Sequence, residues 1–249
     1  MKAFYANLEV SSIGEIPVFV RKWGIGAKVL LVHGWMNSSL RWYRLVPFLA
    51  RHYEVWALDL PGFGQTAPVS RCHTTLQTYS AILAKLIDEI SDGKVLHGLV
   101  GHSMGAILSL LLLKRPDFPV NCIIASGAPI TGVSYLRPLV NRSRIVTMCL
   151  RMFQVWMQLD AKCKDSCSRH SGDGATVGFE NRRQVHIPTA GVLLKQVCNC
   201  NLFSDLQPLL SRVTPNILIA RGEKDPFSSR EDSVRLAQRL GGGFHDFLG

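Results

Sequence analysis

Gly101-His102-Ser103-Met104-Gly105 is the pentapeptide of this chain with the most chemistry in it. A serine hydroxyl is a weak nucleophile until a base takes its proton and donors receive the charge it creates. The G-x-S-x-G spacing supplies part of this by setting the serine at the tip of a sharp strand-to-helix turn. Glycines two residues away on either side let neighbouring backbone pass close. The helix that follows brings the partial positive charge of its N-terminus to the serine oxygen. The flanks suit the motif: Val95–Val100 reads as a strand and Ala106–Leu113 as an apolar helix that ends near Pro116.

Two other segments can complete such a site. His33-Gly34-Trp35 ends an apolar run, and the backbone N–H groups of Trp35 and Met104 are expected to face a developing oxyanion. His33 itself reads as hydrogen-bonding support rather than a base. Asp225, in Arg221-Gly222-Glu223-Lys224-Asp225-Pro226, lies just past a strand pattern, where a carboxylate can orient a histidine and stabilise its charged form. Glu223 and Asp205 are its competitors.

These residues need a scaffold, and the chain offers strands and helices in alternation, the pattern of a mainly parallel sheet. Val18–Trp23, Lys28–Val32, Tyr53–Leu58, Val120–Ala125 and Asn216–Ala220 read as strands, several of them continuously apolar as strands covered on both faces should be. Leu76, Tyr79, Ile82, Leu83, Leu86, Ile87 and Ile90 recur at helical spacing between Thr75 and Ile90. Ser229–Leu240 reads as a helix with Glu231 and Asp232 near its start. Between 130 and 210 no strand-like run appears. Arg151–Leu159 and Gly191–Val197 look helical, which predicts an inserted helical lid over 130–210 and a core built from 1–129 and 211–249.

His33-Gly34-Trp35, Asp59-Leu60-Pro61-Gly62-Phe63-Gly64, Gly101-His102-Ser103-Met104-Gly105 and Gly222-Glu223-Lys224-Asp225, in this order, resemble the α/β-hydrolase superfamily, over nearly the whole chain apart from the lid. The resemblance implies a doubly wound α/β fold, a Ser–Asp–His triad with Ser103 and Asp225, an oxyanion hole from Trp35 and Met104, and Asp59 as part of a structural turn. It implies hydrolysis of a carboxylic ester or thioester through an acyl-enzyme, with no cofactor. An acyltransferase, a C–C bond hydrolase or a cofactor-free haloperoxidase would use the same triad. The histidine departs from the pattern. Only His245 follows Asp225, and it stands inside Phe244-His245-Asp246-Phe247-Leu248, which looks like the start of the last strand. Two readings stay open: His245 is the base, reached by a shortened connection, or the C-terminal end is truncated or degenerate and the base lies beyond residue 249 or is lost. A chain without a base would be a binding or accessory protein on a hydrolase scaffold.

Composition sets the outer bounds. The 249 residues suit one large α/β domain or one domain with an insertion, and 47% hydrophobic content excludes a disordered chain. No secretory signal is read at the start, where Glu9 and Glu15 interrupt any apolar core, and the seven cysteines fit a reducing, cytoplasmic compartment. Val95–Leu113 carries no Asp, Glu, Lys or Arg, yet His97, His102, Ser103 and its glycines make it a buried strand, turn and helix rather than a membrane span. Cys163-x₃-Cys167 with His170, and Cys198-x-Cys200, lack the clean paired spacing of a zinc site, so no metal is expected. The net charge is +10 without an aromatic-plus-basic nucleic-acid motif. Arg137–Lys195 holds ten Lys or Arg against Asp160, Asp165, Asp173 and Glu180. Such a face reads either as a solvated basic surface or as one that docks an acidic carrier protein or an anionic lipid surface, beside a small-molecule acyl ester as substrate. The His-Gly-Trp turn and basic lid are similar to the pimeloyl-carrier-protein methyl ester esterases. Met148, Met152, Phe153, Trp156 and Met157 would line an acyl pocket or pack a lid helix.

Overall fold

A computed structural model describes residues 1–115, 118–142, 148, 151–152, 185–206 and 215–248. Strands β1 (Lys2–Val10), β2 (Gly14–Trp23), β3 (Ala27–Val32), β4 (Tyr53–Leu58), β5 (Gly98–His102), β6 (Cys122–Ser126), β7 (Asn216–Gly222) and β8 (Gly243–Phe247) form one sheet in the order β1-β2-β4-β3-β5-β6-β7-β8. β1 and β2 pair antiparallel, β2 runs antiparallel to β4, and from β4 to β8 every pairing is parallel.

The continuous apolar runs are explained by two cores. Leu30 and Val32 of β3 enter a large cluster with Leu83, Leu86 and Ile87 of the helix α2 (Leu76–Ser91) and with α3 (Met104–Leu111). Val29 and Leu31 point the other way, to Trp42, Val46, Val55 and Ala57. A strand wetted on one face would alternate with polar residues; here both faces are dry. The α2 stripe read from the sequence is the buried face of that helix. Thr75 caps it by accepting the N–H of Thr78 at 3.0 Å, and Asp92 ends it at φ 50°.

Several expectations shift. β1 is a full strand that the sequence reading did not anticipate, and β2 begins at Gly14 rather than Val18. The reason is Pro17. Proline cannot donate to a ladder, yet β4 pairs only with Val20–Trp23, so Pro17 sits where β2 has a neighbour on one side alone. β5 starts at Gly98, not Val95, and runs on to His102, which carries its pairing with β6 to the serine itself. The region 130–210 shows helices α4 (Arg137–Val140), α5 (Ile187–Asn199) and α6 (Leu202–Asp205) among its described residues. Beyond Met152, the helix expected over Arg151–Leu159 lies outside the described residues. So do Cys163, Cys167 and His170. The short helix α1 (Val46–Leu49) flanks β4, and α7 (Arg230–Arg239) packs on β7 and β8. No helix among the described residues is long and apolar enough to cross a membrane.

Candidate active site

Ser103 stands between the last residue of β5 and the first of α3 at φ 53°, ψ −116°. A side-chain-bearing residue there costs about 1–3 kcal/mol and persists only where its surroundings over-determine it. They do. Ser103 N–H donates to Ser126 O of β6 at 2.8 Å, and Ser103 O accepts from Ala106 and Ile107 N–H at 3.0 and 3.1 Å. The glycines of the motif are steric necessities: a Cβ at Gly105 would stand 2.3 Å from Val32 O, and one at Gly101 2.4 Å from Gly105 O. Met104 is fully buried as the first residue of α3, so its N–H has no carbonyl a turn earlier within the helix.

The His33-Gly34-Trp35 turn lies directly against the serine. A Cβ at Gly34 would be 3.0 Å from Ser103 Cβ. His33 has no solvent exposure, and its hydrogen bonds fix its tautomer. Leu60 N–H donates to Nε2 at 2.9 Å, so Nδ1 carries the proton and donates to Gly34 O at 2.8 Å. Burial holds this imidazole below its ordinary range, against the opposing pull of Asp59, and it is neutral. With Gly34 O turned to the ring, the trans peptide aims Trp35 N–H the opposite way. The Trp35 indole N–H donates to Ala190 O of α5 at 2.8 Å, which ties this turn to the inserted region.

Asp59 sits in the structural turn expected of it. Its Oδ1 accepts Ser39 N–H at 2.6 Å, its Oδ2 accepts Gln65 N–H at 2.9 Å, and Arg21 lies 3.7 Å from Oδ2. α5 rests on the same turn through His186 N–H to Gly62 O at 2.8 Å and a bridge between Phe63 and Val185.

Asp225 occupies the loop after β7. Its carboxylate accepts Phe227 N–H on Oδ1 at 2.9 Å and Ser228 O–H on Oδ2 at 2.7 Å. The space over Gly127, at the end of β6, brings it to the elbow: a Cβ there would be 3.1 Å from Asp225 Oδ2 and 3.8 Å from His102 Nε2. His102, the residue before the serine, is therefore a neighbour of the acid. Sequence reasoning passed over it as a filler of the pentapeptide. Its Nδ1 is buried without a hydrogen-bond partner among the described residues, beside Gly34. Burial first, then the Arg41 charge, holds this imidazole below its ordinary range, with Asp225 opposing them.

His245 is placed differently. It is the middle residue of β8, opposite Ala220, exposed, with its ring 4.6 Å from that of Phe247. No hydrogen bond among the described residues joins it to Ser103 or Asp225. The C-terminal end of β8 is what meets the acid loop, through Glu223 N–H to Phe247 O at 2.9 Å. The competing carboxylates separate as well: Asp205 ends α6, and Glu223 gives its carbonyl to Arg221. Cys198 and Cys200 are buried and free. Cys200 S–H lies 3.2 Å from Pro129 O, and burial pushes its thiol up to about 12.

A family model described as the alpha/beta hydrolase family matches residues 29–247. The chain is 30% identical over 115 residues to a pimeloyl-[acyl-carrier protein] methyl ester esterase of Aeromonas hydrophila, a match covering 46% of this chain and 43% of that one. It therefore spans less than half the length of that relative. It is 27% identical over 212 residues to a 2-hydroxy-6-oxo-6-(2'-aminophenyl)hexa-2,4-dienoic acid hydrolase of Metapseudomonas resinovorans, covering 81% and 69% of the two chains. Among solved structures, an esterase from Exiguobacterium antarcticum superposes with a TM-score of 0.74 at 17% identity, over 99% of this chain and 91% of that one. At that identity the likeness is one of fold.

Proposed function

This chain belongs to the alpha/beta hydrolase family, and on that premise we propose that it is a serine hydrolase cleaving a carboxylic ester or thioester through an acyl-enzyme. The observation that carries the reading is Ser103 held at φ 53° on the elbow, against the Gly34 turn and ahead of α3. Ser103 Oγ attacks the acyl carbon while a histidine takes its proton. The carbonyl oxygen becomes an oxyanion, received by the N–H groups of Trp35 and Met104. Preorganised donors of this kind lower such barriers by about 3–4 kcal/mol each. The C–O or C–S bond then breaks, and the leaving group takes the proton from the imidazolium. Water repeats the sequence on the acyl-enzyme and frees the acid. Asp225, fixed by Phe227 and Ser228, orients the histidine and stabilises its charged form. His245 is the candidate for that histidine within this sequence, and unchanged turnover in His245→Ala removes it from the role. The core comprises 1–129 and 211–249, with 130–210 as the inserted lid. The basic surplus of Arg137–Lys195 is the proposed docking face for an acidic carrier protein or anionic lipid; most of it lies outside the described residues.

The test is labelling with a fluorophosphonate probe and mapping of the adduct. Modification of Ser103, abolished in Ser103→Ala, is the expected result. A folded protein that takes up no probe overturns the reading and leaves a binding or accessory role. A second reading, hydrolysis of a dienoic acid on the same serine, is favoured by the relative matched over 81% of the chain. Comparing turnover of a p-nitrophenyl ester with that of a 2-hydroxy-6-oxo-dienoic acid separates the two.

A further inference from the structure

We propose that Arg221 is a positioning residue for Asp225, setting the rate of the reaction through the main chain of the acid loop; this rests on the reading of Asp225 as the triad acid. Arg221 is the penultimate residue of β7 and is 7% exposed. A guanidinium taken out of water needs partners for its donors. Its Nη1 donates to Asp246 Oδ1 at 3.1 Å, and its Nη2 donates to Glu223 O at 2.9 Å and Asp225 O at 3.4 Å. Asp246 stands opposite Arg221 in the β7–β8 register, and its other oxygen accepts Arg230 Nε–H of α7 at 2.7 Å. One planar fork thus spans the end of β7, the acid loop and the last strand.

The rest of the loop shows why this matters. Asp225 N–H donates to Gly222 O at 3.0 Å, and the carboxylate is held by Phe227 and Ser228, both later in the chain. Arg221 reaches the main-chain carbonyl of Asp225 from the sheet. Remove it, and the loop keeps its internal turn and the Glu223 N–H to Phe247 O bond, but the carbonyls of Glu223 and Asp225 lose the guanidinium that holds them. Removing one partner of a buried ion pair destabilises the fold, so the geometric effect is read as a rate in variants shown to be folded.

The experiment measures p-nitrophenyl acetate hydrolysis and fluorophosphonate labelling of the full protein. The variants are Arg221→Gln, Arg221→Lys, Asp225→Asn and the Arg221→Gln/Asp225→Asn pair, each checked for folding by circular dichroism. A displacement of about 1 Å costs on the order of 10²-fold in rate, so Arg221→Gln should lower kcat by about that much with KM unchanged. Arg221→Lys should fall between it and the native protein. The acid limb of kcat/KM should move to lower pH, because a displaced carboxylate no longer raises the pKa of the histidine. The double variant should be no slower than Asp225→Asn alone. Arg221→Gln at native rate beside a slow Asp225→Asn overturns the inference and leaves the acid assignment standing, as do multiplied losses in the double variant. Asp225→Asn at native rate overturns both. Should Arg221→Gln fail to fold, Asp246→Asn loosens the same fork, and a native rate there overturns the inference equally.

Discussion

Ser103 holds a backbone conformation that its side chain disfavours, so its function and its stability pull against each other. Glycine has no such penalty at positive φ. Ser103→Gly should therefore fold more stably than the native protein, by about 1 kcal/mol, while losing all fluorophosphonate labelling. Urea denaturation reads the first effect, and a lower midpoint in the variant would mean that the elbow stores no strain. The serine, its flanking glycines and Asp225 stand out in the sequence as candidates because each answers a local demand: a sharp bend, a close approach, a loop just past a strand. His102 and Arg221 were not. Both acquire their setting from partners distant in the chain, His102 from Gly127 and Asp225, Arg221 from Asp246, and no local pattern marks such a meeting.

Elements fared by the same rule. β3, β4, β6, β7 and α2 announce themselves through apolar runs or helical stripes that directly reflect their two-sided or one-sided burial. β1 does not. Its first four residues are exposed, and Ala3-Phe4-Tyr5-Ala6 has no alternation to read. Between 130 and 210, the described segment 185–206 is helical, and its sequence does not show how it is fastened. Gln196 of α5 does much of that fastening. Its Oε1 accepts Leu76 N–H at 2.9 Å, and its Nε2 donates to Thr74 O at 2.7 Å, joining α5 to the start of α2. Gln196→Ala leaves one donor and one acceptor unpaired at that seam. It should cost about 1–2 kcal/mol in a denaturant titration. Hydrogen exchange should rise locally at Leu76, and a protection pattern identical to that of the native protein would disprove the fastening role.

The whole molecule has a sign to its pH response. His33 and His102 are both held below their ordinary value of 6.5 by burial, so the unfolded chain binds their protons more readily than the folded one. Their contribution is fully present above about 6.5 and is lost as pH falls below it, down to the folded values. Thermal unfolding should thus show a lower Tm at about pH 5.5 than at about pH 7.5. A Tm at about pH 5.5 equal to or above that at about pH 7.5 would show that these imidazoles are not kept neutral. His33 supports the Gly34 turn, so acid should loosen the candidate oxyanion donor as well as the fold.

The bond from the Trp35 indole to α5 has an optical consequence. Indole emission depends on what its nitrogen is bound to, and this one is bound across the seam between sheet core and inserted helices. The protein carries an intrinsic fluorophore, one of five tryptophans, at the contact between the Gly34 turn and α5.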